Sequence, residues 1–391
     1  MRVLVVPKWY PWPDRPVFGI FCQEQARALA GRHEVTVLAS EPVRRPSFLV
    51  FELSESVEDG VRTLRLRYRR PAFRPAAMAF QIVGMLFALG RLRRAGWRPE
   101  IVHAHVYSAG LPALILGRLS GAPVVISEHY TGFQRGLIRG YDRLTARLAF
   151  RYADLVAPVS QDLADHVREV EPRTRIRVVA NVVDTDVFHP ATDRAGATTG
   201  SARLLTVAAF AEKKGHADLL EALARLRRER DVALDLVGDG DLRPALEECA
   251  RSLGLDGAVR FHGERPKQEV AELMRQADLF VLPSLFENLP CVLLEAMASG
   301  LPFVATAVGG VPELADKRYA TLSEPGDPAA LATAICIALD RRAEVDLEAS
   351  VSRARTRFGY EAFERTWTEI YRELRRSADS CRANAPTNFG L

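Results

Sequence analysis

The chain has 391 residues, 48% hydrophobic and 26% charged, with a formal net charge of +4, which is the composition of an ordinary water-soluble globular protein with room for two cores. That balance, with no repeat or low-complexity tract, argues against a disordered, fibrous or dedicated nucleic-acid-binding chain. Five cysteines, Cys22, Cys249, Cys291, Cys336 and Cys381, are scattered without metal-ligand or disulfide-framework spacing.

The opening, Met1 to Val6, reads as a strand and not as a cationic start before an apolar secretion core, so a reduced cytoplasmic setting is expected. A loop with Gly19 follows, then an amphipathic stretch at Phe21–Ala30 and a strand at Val35–Ala39. Between Val61 and Arg74, Arg65, Arg67 and Arg69 alternate with Leu64, Leu66 and Tyr68, the pattern of a strand with one wet and one buried face. Such a basic face suits either plain solvation or contact with anionic headgroups or a phosphorylated acceptor, the latter allowing peripheral attachment to the cytoplasmic face of a membrane. Ala76 to Leu89 is apolar but falls short of the roughly 20 residues that span a bilayer, so it is expected to pack as a core helix.

Further strands are read at Ile101–His103, Val124–Ser127, Leu204–Val207, Ala233–Val237, Leu279–Leu282 and Phe303–Ala305, with helical stretches such as Ala217–Arg228 between them. This alternation predicts an α/β fold of two doubly wound, Rossmann-like parallel-sheet domains, residues 1–190 and 200–355, joined by a linker near 184–202. Ligands of such domains bind beyond the carboxyl ends of the strands, which makes a cleft faced by both domains the expected site.

Two carboxylates, Glu287 and Glu295, stand eight positions apart across the loop that leaves the Leu279–Leu282 strand and enters a short helix closed by Gly300 and Pro302. Pro290 is expected in the first helical turn, with the amides of Asn288 and Leu289 turned outward as a phosphate grip. At a rise of ~1.5 Å per residue, Glu295 falls roughly 7 Å along the axis from Pro290, about the distance from a diphosphate to its ribose. A carboxylate that accepts hydrogen bonds from sugar or ribose hydroxyls is useful there if a cation balances the phosphates. Lysine is rare in this chain, five among 53 basic residues, yet Lys213 and Lys214 are adjacent in a strand-to-helix turn. A cation at a helix start is unfavourable unless it serves a ligand such as a diphosphate. Gly238-Asp239-Gly240 offers glycine backbone after the next strand, and His129 follows Val124–Ser127, either as a sugar ligand or as a structural histidine.

The run Glu287-Asn288-Leu289-Pro290-Cys291 through Glu295 to Pro302, with Val308-Gly309-Gly310, His103-Ala104-His105, Ser127-Glu128-His129, Asn181 to Asp184, Lys214-Gly215, Gly238-Asp239-Gly240 and Phe261-His262-Gly263, resembles the retaining glycosyltransferases of family 4. The resemblance covers nearly the whole chain. It implies the GT-B fold, transfer from a nucleoside-diphosphate-sugar without cofactor or metal, and a final helix at about 360–375 that returns to the front domain. It also implies that Glu287, Lys214 and His129 serve the reacting sugar and phosphates. Glu295, Asn288, Leu289, Pro290, Cys291, Lys213, Gly238, Asp239 and Gly19 are then expected to complete the substrate grip. Ala209 departs from the family pattern, which has an arginine five positions before the lysine; Lys213 or Arg265 is expected to compensate. A single Gly19 stands where relatives often carry a pair. An epimerase of the same fold, active without an acceptor, and a non-catalytic sugar-nucleotide binder are the rival readings.

Overall fold

The computed structural model describes residues 1–44, 50–191 and 201–383. Its strands are β1 (Arg2–Pro7), β2 (Glu34–Val43), β3 (Phe51–Glu58), β4 (Val61–Arg69), β5 (Ile101–His105), β6 (Val124–Glu128), β7 (Leu155–Pro158), β8 (Ala202–Val207), β9 (Val232–Val237), β10 (Val259–Gly263), β11 (Leu279–Leu282), β12 (Phe303–Thr306) and β13 (Ala320–Ser323). The α-helices are α1 (Ile20–Ala30), α2 (Arg74–Arg94), α3 (Tyr107–Ser120), α4 (Gly140–Tyr152), α5 (Gln161–Val170), α6 (His216–Leu226), α7 (Arg243–Ser252), α8 (Lys267–Gln276), α9 (Cys291–Ala298), α10 (Val311–Leu314), α11 (Pro328–Asp340), α12 (Leu347–Arg353) and α13 (Tyr360–Ala383).

The described residues form two compact units, one within 1–180 and 363–383 and one within 181–362. The division thus falls ahead of the linker read near 184–202. Asn181 donates to the Leu289 carbonyl at 2.6 Å, Lys267 reaches Asp184 at 3.0 Å, and Phe188 is 1% exposed, so this stretch already belongs to the second unit. Residues 192–200 of the expected linker lie outside the described residues.

In the first unit seven strands lie in the order β3-β4-β2-β1-β5-β6-β7, parallel except for the antiparallel β3–β4 pair. The β5 run Ile101-Val102-His103-Ala104-His105 is buried throughout because helices cover both faces of this part of the sheet. On one face α13 brings Trp367 and Tyr371 over His103; the Tyr371 hydroxyl lies 2.6 Å from His103 Nδ1 and the Trp367 ring 4.3 Å from the imidazole. Helix α2 corrects the core-helix expectation for 76–89. It extends to 21 residues and presses one face, including Gly84 and Met85, against the sheet, while Val83 and Phe87 remain about half exposed. Gly84 is what admits it closely, since a Cβ there would stand 2.7 Å from a Leu66 methyl. By length and composition α2 is long and apolar enough to cross a membrane, and 33% of its most apolar stretch is buried.

The second unit holds six parallel strands in the order β10-β9-β8-β11-β12-β13. Its core gathers Leu204, Leu234, Leu236, Val281 and Val304 from the strands against Leu219, Leu223 and Ile335 from α6 and α11. The direction of strand addition reverses between β8 and β11. That reversal opens the crevice where doubly wound sheets bind ligands, at the strands' carboxyl ends.

Candidate active site

Two turns meet at the β8/β11 reversal. After β8, a 3₁₀ turn at Glu212–Lys214 ends at Gly215, whose φ of +64° caps the start of α6. A Cβ on Gly215 would lie 2.0 Å from the Pro283 carbonyl oxygen, so only glycine lets this turn touch the turn that follows β11. The two backbones are joined as well: Leu285 N donates to the Lys213 carbonyl at 2.8 Å.

The contact places Lys214 Nζ 2.5 Å from Glu287 Oε1, and Ser284 Oγ donates to the same oxygen at 2.7 Å. Glu287 is 5% exposed. A charge so little hydrated needs a cation and a hydroxyl donor of this kind. Thr306, at the end of β12, anchors the loop through the Ser284 carbonyl, and Gly310 N holds the Asn288 carbonyl at 2.7 Å. With Asn181 on the Leu289 carbonyl, the backbone of Ser284–Leu289 is tied to three neighbouring segments, which is how a loop becomes a rigid binding surface.

Helix α9 starts one residue later than expected: Pro290 is its N-cap, with β-region angles, and Cys291 is its first residue. The amides that open the helix are accordingly those of Cys291 and Val292, not those of Asn288 and Leu289, because N-terminal amides inside the first turn are the ones without an i−4 carbonyl. Glu295 is half-buried on the second turn of α9. On the neighbouring strand, Gly238 and Gly240 adopt φ of +138° and +155°, and a Cβ on Gly238 would stand 2.0 Å from the Ala208 carbonyl oxygen. Phe210 N donates to the Asp239 carbonyl at 2.9 Å, so Gly238–Gly240 borders the same crevice through the turn containing exposed Ala209.

Arg243, not singled out from the sequence, salt-bridges Asp239 at 2.9 Å beside this glycine turn. Its signal was the Asp239-to-Arg243 spacing of four at a helix start. Arg265 lies after β10 and faces Glu269 at 3.4 Å. His216, directly after Gly215, is 3% exposed beside the Phe210 ring, and burial, then the Lys214 charge, push its pKa down to about 4.

His129 and Gly19 belong to the first unit. Gly19 caps α1 at φ +74°, and a Cβ there would fall 2.4 Å from the Trp9 carbonyl carbon. His129 Nε2 lies 3.2 Å from His105 Nδ1, its ring 4.9 Å from that of Phe21. Fully buried Glu128 holds this corner: one oxygen accepts from the amides of His129 and Tyr130, both at 2.9 Å, the other from the Tyr107 amide at 2.8 Å. Burial nevertheless pushes the Glu128 carboxyl up to about 7, against the pull of those three amides. Val106, just before Tyr107, has φ of +72°, a strained angle for a β-branched residue at a strand end. Among the described residues no group of three or more His, Cys, Asp or Glu is placed to hold a metal ion.

Comparison with known proteins agrees with this geometry. Residues 201–341 match the family model described as Glycosyl transferases group 1, and residues 19–187 match Glycosyltransferase Family 4. The chain is 30% identical over 380 residues to glycogen synthase of Mycobacterium tuberculosis, covering 91% of this chain and 90% of that one. In fold it is similar to sucrose-phosphate synthase from Thermosynechococcus elongatus, with a TM-score of 0.78 and 20% identity over 96% of this chain and 100% of that one. It is also similar to HepE of Anabaena in complex with UDP-glucose, with a TM-score of 0.72 and 19% identity over 95% and 100%. The chain belongs to the group 1, family 4 glycosyltransferases of GT-B fold.

Proposed function

We propose that this glycosyltransferase moves a sugar from a nucleoside-diphosphate-sugar to an acceptor with retention of anomeric configuration, in the building of a glycan, glycolipid or glycosylated metabolite. The observation that carries the reading is the Lys214–Glu287 contact at the strand reversal of the second unit. The UDP-glucose bound by the HepE neighbour supports a nucleotide-sugar as donor.

In this reading the diphosphate lies at the amides of Cys291 and Val292, within reach of Lys214. The ribose hydroxyls are held by Glu295 and the sugar hydroxyls by Glu287. Lys213, Asn288 to Pro290 and the Gly238-Asp239 turn complete the donor grip. The bond between the anomeric carbon and the phosphate oxygen breaks, the acceptor oxygen bonds to the same face of that carbon, and the acceptor proton passes to the departing phosphate. Lys214 and the helix-start amides stabilise the charge that grows on that phosphate, where preorganised donors are worth about 10²–10³ in rate each. No cofactor or dedicated metal takes part. The first unit supplies the acceptor side; His129 is assigned to the sugar, and Gly19 gives the α1 turn its close approach. A cytoplasmic enzyme in peripheral contact with the membrane through this basic unit fits the same reading.

Turnover of UDP-, GDP- and ADP-sugars by K214A and E287A tests the proposal. Losses of at least a hundredfold are expected in both, with nucleoside diphosphate release that depends on an acceptor. Unchanged turnover in both variants refutes the site, and acceptor-independent turnover replaces transfer by epimerisation.

A further inference from the structure

The two units repeat one strand order. In the first, β1 lies between β2 and β5, and β6 flanks β5; in the second, β8 lies between β9 and β11, and β12 flanks β11. Helix α3, which follows β5, therefore holds the place in its sheet that α9, which follows β11, holds in the other. The registers agree to the residue: His105, the last of β5, pairs with Ser127, and Leu282, the last of β11, pairs with Ala305. One position further on stand Glu128, ending β6, and Thr306, ending β12.

These equivalent residues act in opposite ways. Thr306 carries no charge and donates its hydroxyl to the Ser284 carbonyl. Glu128 is 0% exposed, and its two carboxylate oxygens accept from the amide of Tyr107, the first residue of α3, at 2.8 Å and from those of His129 and Tyr130 at 2.9 Å. Among the described residues no lysine or arginine pairs with it. Both oxygens accept from N–H groups, which is the pattern of an ionised carboxylate. The first turn of α3 has no acidic residue and its N-cap, Val106, has no side chain able to accept, so the positive end of this 14-residue helix is met from β6. Val106 alone separates β5 from α3, at φ of +72°, whereas residues 283–290, Glu287 among them, separate β11 from α9.

A buried carboxylate gripped by convergent amides at a helix start, beside the reversal of strand order, stands where a doubly wound unit receives phosphate. Resting on the donor reading above, in which the start of α9 receives the diphosphate, we propose that Glu128 is a built-in anion. It fills in the first unit the phosphate place that the second unit offers to the donor, and so limits each chain to one nucleotide, bound by the second unit.

The test removes the carboxylate and returns it in solution. E128A deletes the CH2–COO⁻ portion of the side chain, which acetate restores in shape and charge. Melting of the full chain is followed in sodium acetate and in sodium chloride of equal ionic strength, at a pH above the Glu128 value of about 7. Acetate is expected to raise the Tm of E128A saturably and to leave wild type and E128Q where chloride leaves them, because the carboxamide fills the same space. In E128G, which vacates more room, inorganic phosphate is expected to protect as well. Should either variant melt too early to follow, its recovery from urea is read instead, with higher yields expected in acetate or phosphate than in chloride. An equal effect of acetate on E128A and wild type, or equal recoveries in all three salts, overturns the proposal. Protection by acetate without any by phosphate reduces Glu128 to a helix cap and overturns it too. Calorimetric titration of the wild type with UDP is expected to give a single equivalent per chain, and a second equivalent contradicts the closure of the first unit. Absence of any UDP binding strikes the donor reading instead, while the acetate and phosphate series still decide whether Glu128 fills an anion site.

Discussion

Lys214 and Glu287 are 73 residues apart in the chain and meet at 2.5 Å, with side chains 17% and 7% exposed. Because both charges are largely desolvated, removing one strands the other. K214A is expected to lower stability by about 3 kcal/mol, the range for a broken buried pair. The double variant K214A/E287Q should recover most of that loss, since no uncompensated charge remains. Denaturant unfolding of the four corners of this cycle measures it; additive single losses would show the pair to be uncoupled.

Gly215 and Gly257 separate conformational strain from steric contact. Both have positive φ, +64° and +75°, but only Gly215 faces the Pro283 carbonyl, whereas a Cβ on Gly257 meets nothing within 4 Å. G257A should therefore cost about 1 kcal/mol, the left-handed penalty alone. G215A should cost clearly more and also abolish the nucleotide-induced rise in Tm, because the two turns must separate. Equal losses in the two variants would contradict the role given to this contact.

Acid sensitivity follows from the buried imidazoles. Burial pushes His33 and His216 down to about 4 and His103 to about 3, and holds His105 well below its usual range. Their folded-state values lie below the unfolded value near 6.5, so the unfolded chain binds more protons and stability is lost as pH falls from about 6.5 towards 4. His33, His216 and His103 each contribute roughly 2 kcal/mol between pH 6.5 and 5, and His105 acts in the same direction. Glu128, raised to about 7, works the other way, since its folded form takes up a proton first and gains stability between pH 7 and 4.5. Four imidazoles outweigh one carboxyl, and the midpoint in urea should fall steadily from pH 7 to 5. H216Q should flatten that slope; a flat wild-type profile would rule out neutral burial of these rings.

Glu128 is expected to act as a positioning residue for His129. E128A leaves the amides of Tyr107, His129 and Tyr130 without their acceptor in a fully buried place, at about 1–3 kcal/mol for each orphaned donor. E128Q keeps an oxygen for two of the three and should retain the fold while lowering kcat more than it raises the donor KM. Proportional losses in both parameters and in Tm would reduce Glu128 to a purely structural brace.

Much of this was readable in the chain itself. Apolar runs such as Leu279–Leu282 and Val124–Ser127 marked buried parallel strands, and two doubly wound sheets followed from their alternation with helices. Strand β3 escaped because its sequence, Phe-Glu-Leu-Ser-Glu-Ser-Val-Glu, lies at an exposed sheet edge and carries little apolar signal. Helix α2 was read short and as core because its composition is apolar all round, whereas its packing uses a single face. The unit boundary at residue 181 could not be read from linker composition, since the side chain of Asn181 and the backbone of Val183 are committed to Leu289 and Phe358, far away in sequence.

The sequence by itself determined the class of the molecule and the short-range order of its site: Glu287, the helix start and Glu295 follow one another at spacings set by local strand and helix geometry. Tertiary structure alone decided that Lys214 closes on Glu287 and that Glu128 clamps two strand ends. The reason is physical. Periodicity and capping are governed by neighbours within a few residues, whereas these contacts depend on which strands lie side by side, β8 beside β11 and β5 beside β6.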